Sequence, residues 1–465
     1  MTTVPPALSQ TASAGGVWPV KAQAAPAATF PADRQITTLQ KIGFATLAIF
    51  IVTSYSRLVD MIAIVTNLKL PTAQVTIALA LFGMVLCGLA VLRNLDSVSG
   101  RLMLLYTIWL VLTIPVSTWR GGSYGVFRQM WLPSVMAFVF LSTMVLSFQY
   151  LRRVIFLIVF SVGLILFMSP FLGGEIEGRF GWVAGTLRNA NDFAMHLLFV
   201  LPFCLYLAKD PSSARSTRIF GWAVGLGILL VSLRTASRTG LLIILVYLAV
   251  LFITTSIVNK LKIVVAVISL GVLFIATLPQ QTLVRYATLF TDSHDSGEAD
   301  SEGTVLSAQE STALRERLFR YSLEMAMQHP IFGVGMGNFA GVAQEKSSKG
   351  PESTAWRQPH NVYNQIAAEV GFPGLILYVG IVAASFRACF RVRKAARRVP
   401  SQASRYNLAN CLLLTLLAFA VTNFLATSAY GWYLPLFAGL AVLLERHAPP
   451  ASSRAVPAPA SAFPL

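Results

Sequence analysis

The residue best suited to chemistry is His360, set in the run Arg357-Gln-Pro-His360-Asn361-Val-Tyr363-Asn364-Gln365-Ile-Ala-Ala-Glu369-Val-Gly371-Phe-Pro373-Gly374, where a long hydrophilic segment returns to an apolar one. An imidazole titrates near neutral pH, and in its neutral form it can take the proton of a hydroxyl. At a loop-to-span junction it would meet the head group of a lipid-carried substrate. The sequence predicts a short helix opening at His360 after Pro359 and running to about Val370, before Gly371-Phe-Pro373-Gly374 breaks it. A helix N-terminus is positive, which favours the neutral imidazole and attracts anions. Both effects suit a general base beside a pyrophosphate. Glu369 is not expected to be the direct carboxylate partner of His360, because nine residues of helix span about 13.5 Å.

A second source of chemistry is a pair of arginines. Between Asp210 and Asp292 the chain has no Asp or Glu, yet Arg234 and Arg238 stand in the short segment Ser232-Leu-Arg234-Thr-Ala-Ser237-Arg238-Thr-Gly240. If that turn is helical, both guanidiniums share one face and repel unless an anion lies between them. A phosphate matches the guanidinium fork, and the alternative is that both arginines snorkel to lipid head groups. In the segment from Gly173 to Ala194, Arg179 has glutamates close by and Arg188 has Asp192, so ion pairing is the simpler expectation for both. His196 reads as a hydrogen-bonded interior histidine.

These groups need elements to position them, and composition says which kind. Of 465 residues, 55% are hydrophobic and 12% charged, with a mean hydropathy of +0.66, which indicates an all-α membrane protein. The net charge of +17 suggests no nucleic-acid partner, since the basic residues fall in short clusters between apolar runs. Apolar runs predict about twelve spans, near 37–56, 73–92, 102–118, 129–148, 154–171, 192–208, 217–233, 239–258, 262–279, 373–388, 406–426 and 431–445. With an even count both termini share a side. Of the 36 Lys and Arg, 21 fall in the tails and loops on that side, so both termini are expected to be cytoplasmic. The division expected is a disordered cytoplasmic tail over 1–35, spans one to nine over 36–279, a periplasmic loop with short helices over 280–372, spans ten to twelve over 373–446, and a second tail over 447–465. Cys87, Cys204, Cys389 and Cys411 lie in or beside apolar runs and indicate neither a disulfide framework nor a metal site.

Within the long loop, Thr312 to Gln328 reads as an amphipathic helix with Leu314, Leu318, Tyr321 and Met325 on one stripe and Arg317, Arg320 and Glu324 off it. Gly333-Val-Gly335-Met-Gly337-Asn338 reads as a turn, because no βαβ context surrounds it. The acidic run from Asp292 to Glu302 lacks the spacing of a calcium loop and reads as a solvated segment.

Taken together these pieces resemble the O-antigen ligase and polymerase superfamily of bacterial membrane glycosyltransferases. The resemblance covers roughly residues 40 to 445 and rests on Gly185-Thr186, Asn191-Asp192-Phe193-Ala194, Ser237-Arg238-Thr-Gly240, Arg317-Leu318 with Tyr321, His329-Pro330-Ile-Phe-Gly333-Val-Gly335, and His360-Asn361, Tyr363, Glu369, Gly371 and Pro373-Gly374. It implies transfer of an undecaprenyl-diphosphate-linked glycan at the periplasmic face of the bacterial inner membrane, with inversion and without metal or other cofactor. The acceptor would be a sugar of lipid A-core or of a growing surface polysaccharide, or a protein hydroxyl in another branch of the superfamily. Partners implied are this donor, the glycan or lipid A-core acceptor, membrane lipid and other polysaccharide-assembly proteins. The resemblance makes His360 the residue that activates the acceptor and Arg238, Arg317 and Arg188 diphosphate ligands. Arg234 joins them on charge, with Asn361, Tyr363, Arg320 and Glu369 in support. Tyr321 stands where many members have tryptophan, and Arg188 where a smaller residue is common.

A lipid-linked glycan transporter is the alternative class that many spans would suit. Ion-coupled transporters place carboxylates inside spans, and no Asp or Glu falls in the middle of those assigned above.

Overall fold

The computed structural model describes residues 36–66, 72–88, 94–176, 179–182, 185, 187–210, 212–277, 299–348, 357–397, 399–427 and 429–448. The two tails and the stretch from 280 to 298, with most of the acidic run, lie outside these residues. Helices dominate: α1 Thr38–Tyr55, α2 Leu58–Thr66, α3 Thr72–Leu86, α4 Val98–Thr113, α5 Arg120–Met144 and α6 Phe148–Leu172. A hairpin of β1 Gly173–Ile176 and β2 Arg179–Trp182 follows. Then come α7 Ala190–Lys209, α8 Arg215–Arg234, α9 Arg238–Thr254, α10 Ile257–Thr277, α11 Ala299–Gln328, α12 Phe339–Ser348, α13 Val362–Ala396, α14 Pro400–Thr422 and α15 Tyr433–Arg446. Among the described residues seven helices (α1, α5, α6, α7, α8, α13 and α14) are long and apolar enough to cross a membrane, and Gln74–Leu86, α4 and α9 are shorter apolar helices. Each apolar run noted above falls on a helix. The largest displacements are at α5, which starts near Arg120 and passes through a π-turn at Phe127–Trp131, and at α13, which starts at Val362.

Helix starts are set by side-chain caps. Thr37 and Gln40 form a capping box at α1, and Ser97, Ser147, Asn189, Ser237 and Asn361 each accept a backbone N–H of the helix that follows. Each such cap contributes about 1 kcal/mol. Between apolar helices the gain comes from close packing rather than from water release. Gly43 and Gly83, for example, let α1 and α3 approach until an added Cβ on Gly43 would lie 2.7 Å from the Gly83 carbonyl oxygen.

Polar contacts gather at the two ends of the bundle. At one end Arg152 pairs with Asp210 at 2.8 Å, Ser404 donates to Asp210, Arg391 pairs with Glu445, and Arg446 donates to the carbonyl of Ser142. The other end holds the hairpin, the α8–α9 turn, α11, α12 and the start of α13. Arg152, Asp210, Arg391 and Arg446 at the first end fall in segments assigned above to the cytoplasmic side.

The outer helices are fastened by one buried carboxylate. Glu369 lies inside α13, two residues before Gly371 interrupts the helix with φ +75°. It accepts from the backbone N–H of Gly337 at 2.9 Å and of Phe339 at 3.3 Å, while Gln365 Nε2 donates to both of its oxygens at 3.4 Å. Backbone N–H groups of Val334 and Gly335 donate to the carbonyls of Ala368 and Glu369, and that of Phe372 donates to the carbonyl of Pro330. The turn is pinned from its far side as well, since Asn338 Nδ2 donates to Thr118, Ser123 and the Trp119 carbonyl. Leu318 and Met325 of α11 then bury against Val334, Phe339, Ala343 and Ala368, with Leu314 and Tyr321 alongside, as the apolar stripe predicts. In this satellite core each large side chain contributes about 2 kcal/mol.

The broken helix makes a sharp test. A Cβ at Gly371 would lie 1.9 Å from the Ile331 carbonyl oxygen and would have to adopt a left-handed backbone. Gly371→Ala is expected to cost about 2 kcal/mol or more and to lower the melting temperature of the detergent-purified protein. A wild-type melting curve would show that the kink is not constraining.

Candidate functional site

Asn361, not His360, caps α13. Its side chain accepts from the Asn364 N–H at 3.1 Å, and His360 sits just outside the helix with φ +50°. The strained position is held from both directions. The Val362 N–H donates to the Asn423 carbonyl at 2.7 Å, the Tyr363 hydroxyl donates to the Ala420 carbonyl at 2.9 Å, and Pro359 is buried. Asn361 and Tyr363 therefore support His360 by fixing its backbone. The imidazole is half-buried, with no hydrogen-bond partner among the described residues.

Two guanidiniums lie near the ring, and a third lies near one of them. Partial burial, then the charges of Arg315 and Arg357, hold the His360 imidazole below its usual pKa and so keep it neutral at pH 7. Partial burial, then Arg238 and Arg357, likewise pull the Arg315 guanidinium down. Arg238 opens α9, Arg315 lies on α11 and Arg357 precedes His360, so three separate segments bring positive charge to one place. Among the described residues none of the three has a carboxylate partner.

Arg315 and Arg357 were not singled out from sequence. Arg357 stands three residues before the histidine, and the lack of acid between it and His360 was the only available signal. For Arg315 the signal was the apolar stripe itself: on a helix Arg315 and Arg317 flank the stripe on opposite sides, so only one of them can turn toward His360. Arg317 is half-buried and engaged in other interactions. Arg320 pairs with Glu316 on the exposed face of α11. Arg188 is exposed beside the N-cap of α7, and no ion pair joins it to Asp192 among the described residues.

The α8–α9 turn is not helical. Ala236 takes φ +45°, so Arg234 ends one helix and Arg238 begins the next. Arg234 lies over the Phe180 ring at 4.9 Å. Arg179 donates through Nε to the Thr235 carbonyl at 3.2 Å and through a terminal nitrogen to Asn191 Oδ1 at 2.7 Å, and the Ser237 hydroxyl donates to the same Oδ1 at 2.8 Å. Gly240 packs on Ala194, where an added Cβ would come within 3.0 Å of the alanine methyl. The motifs around Asn191 and Ser237 are thus two halves of one contact.

His196 is an interior residue, as expected. Its Nε2 faces the Tyr55 carbonyl at 2.9 Å and must carry the proton, which leaves Nδ1 to accept from the Tyr433 hydroxyl at 2.9 Å. Glu369 is occupied by the turn described above. It supports the site through α11, not through the imidazole.

Fold and site together define a helical membrane protein with an exposed-end histidine inside a cationic cluster. Residues 223–379 match the family described as O-Antigen ligase, which supports membership of that superfamily. The match spans Arg238, Arg315, Arg357 and His360, and it supports a polysaccharide-related activity of glycosyltransferase type. No curated protein matches the chain. A chain from a solved peptidoglycan synthase complex, studied for coordination of polymerization and crosslinking, aligns at 17% identity and a TM-score of 0.38, covering 74% of this chain and 96% of that one. At that score the likeness carries no argument.

The electrostatics can be tested directly. Removing a cation lets the imidazolium form more readily, so Arg315→Gln or Arg357→Gln should raise the His360 pKa, the double variant by more. Titration of the isotope-labelled imidazole by NMR in detergent checks this. An unchanged midpoint in both variants would mean that the guanidiniums do not face the ring.

Proposed function

We propose that the protein transfers a glycan from an undecaprenyl-diphosphate carrier to a sugar hydroxyl at the periplasmic face of the inner membrane, as an O-antigen ligase or a surface-polysaccharide polymerase. The observation that carries this reading is the placing of Arg315 and Arg357 about a neutral histidine, with Arg238 beside Arg315 and no carboxylate partner for any of the three among the described residues. In this mechanism the neutral His360 takes the proton of the acceptor hydroxyl as its oxygen forms a bond to the anomeric carbon. The bond from that carbon to the diphosphate breaks in the same step, with inversion, and undecaprenyl diphosphate leaves. Its growing negative charge falls to Arg238, Arg315 and Arg357, with Arg317 and Arg188 as further cations around the donor. Preorganised donors of this kind can supply roughly 3 to 4 kcal/mol each to the transition state, so the step needs no metal. The reading takes about twelve spans with both termini in the cytoplasm, which is supported by the segregation of charged segments to the two ends of the bundle.

The test is genetic and biochemical. Deleting the gene should leave carrier-linked polymer without attachment to lipid A-core if the protein is a ligase, or single repeat units without polymer if it is a polymerase. Complementation with His360→Ala should reproduce the deletion, with transfer lowered by about a hundredfold or more. Arg238→Ala, Arg315→Ala and Arg357→Ala should each lower it by about a hundredfold. Near wild-type transfer by a folded His360→Ala protein would remove the basis of the mechanism. Carrier-linked glycan moved across liposomes without formation of a glycosidic bond would favour transport instead.

A further inference from the structure

Arg238 is held by residues that lie far from it in sequence. It is the first residue of α9, directly after a turn whose central residue, Ala236, has φ +45°. A left-handed alanine costs about 1 kcal/mol and persists only where its surroundings dictate it. Here the surroundings are identifiable. Asn191 Oδ1 accepts from Arg179 at 2.7 Å and from the Ser237 hydroxyl at 2.8 Å. With its proton committed to Asn191, Ser237 Oγ accepts from the Gly240 N–H at 3.1 Å and caps α9. Arg179 Nε reaches the Thr235 carbonyl at 3.2 Å, and the neighbouring Phe180 ring receives Arg234. The hairpin thus grips the turn on one side of Ala236 while Asn191 grips it on the other.

We propose that Asn191 and Arg179 are positioning residues that lock the α8–α9 turn and thereby aim the Arg238 guanidinium into the anion site. The two arginines of the segment then do different work. Arg234 anchors the turn on Phe180, and Arg238 is left to meet the anion. This inference rests on the donor-site reading above, and a double-mutant cycle separates the two.

The experiment measures binding of undecaprenyl diphosphate, as the probe, to the purified full-length protein in detergent. Asn191→Leu keeps the side-chain size and removes the acceptor, leaving Arg179 and Ser237 without it; affinity should fall by about tenfold. Asn191→Asp keeps an acceptor for both donors and should bind near the wild-type level, which separates loss of the clasp from loss of folding. Arg179→Lys keeps the charge but not the fork and should fall with Asn191→Leu. Arg238→Ala should weaken binding, and Asn191→Leu combined with Arg238→Ala should be no weaker than Arg238→Ala alone. Wild-type affinity for Asn191→Leu, equal weakness of Asn191→Leu and Asn191→Asp, or additive losses in the double variant would each overturn the clasp while leaving the donor site standing. Wild-type binding by Arg238→Ala would overturn both.

Discussion

The site depends on one buried carboxylate meeting the backbone of a distant turn. Among the described residues Glu369 has no cation opposite it; its carboxyl oxygens are met by the N–H groups of Gly337 and Phe339 and by Gln365. A carboxylate buried in this way is stable only while those donors are in place. The turn and the broken helix must therefore form together. Once they do, α11 has a fixed floor on which to lay its apolar stripe, and Arg315 is delivered to the end of the bundle where His360 stands.

That arrangement concentrates like charge. Arg238 and Arg357 both repel Arg315, and Arg315 and Arg357 oppose protonation of His360. In the proposed function the same repulsion becomes attraction when a diphosphate enters, and it keeps the histidine in the form that accepts a proton. The three described residues outside glycine with positive φ (Arg57, Ala236 and His360) lie at the same end of the bundle as the cluster, His360 within it and Ala236 two residues before Arg238. Local strain there is held by specific partners: Asn423 and Ala420 for the start of α13, Asn191 and Arg179 for the turn before Arg238.

Much of this was legible in the sequence. Apolar runs located the helices, the stripe of α11 foretold which of its residues would bury, and the breaker Gly371-Phe-Pro373-Gly374 fell where the long helix kinks. His360 and Arg238 could be named because a histidine at a span junction and an arginine in an acid-free stretch are local signals. What could not be read was pairing between remote segments. Glu369 looked like a residue placed too far from His360 to assist it, when its partners were backbone groups thirty residues earlier. Arg315 was passed over for Arg317 because only the packed helix decides which side of the stripe faces the histidine. Arg234 and Arg238 looked like one helical face; the left-handed Ala236 separates them. The hairpin that grips their turn left no periodic trace, being two strands of four residues each.

The most direct test of the account is a cryo-EM structure of the full-length protein in nanodiscs with a non-hydrolysable undecaprenyl-diphosphate glycan. The account predicts diphosphate density between Arg238, Arg315 and Arg357, with the anomeric carbon facing an open space beside His360 large enough for an acceptor hydroxyl. Diphosphate density away from these three guanidiniums, or a first sugar held on the side remote from His360, would contradict it.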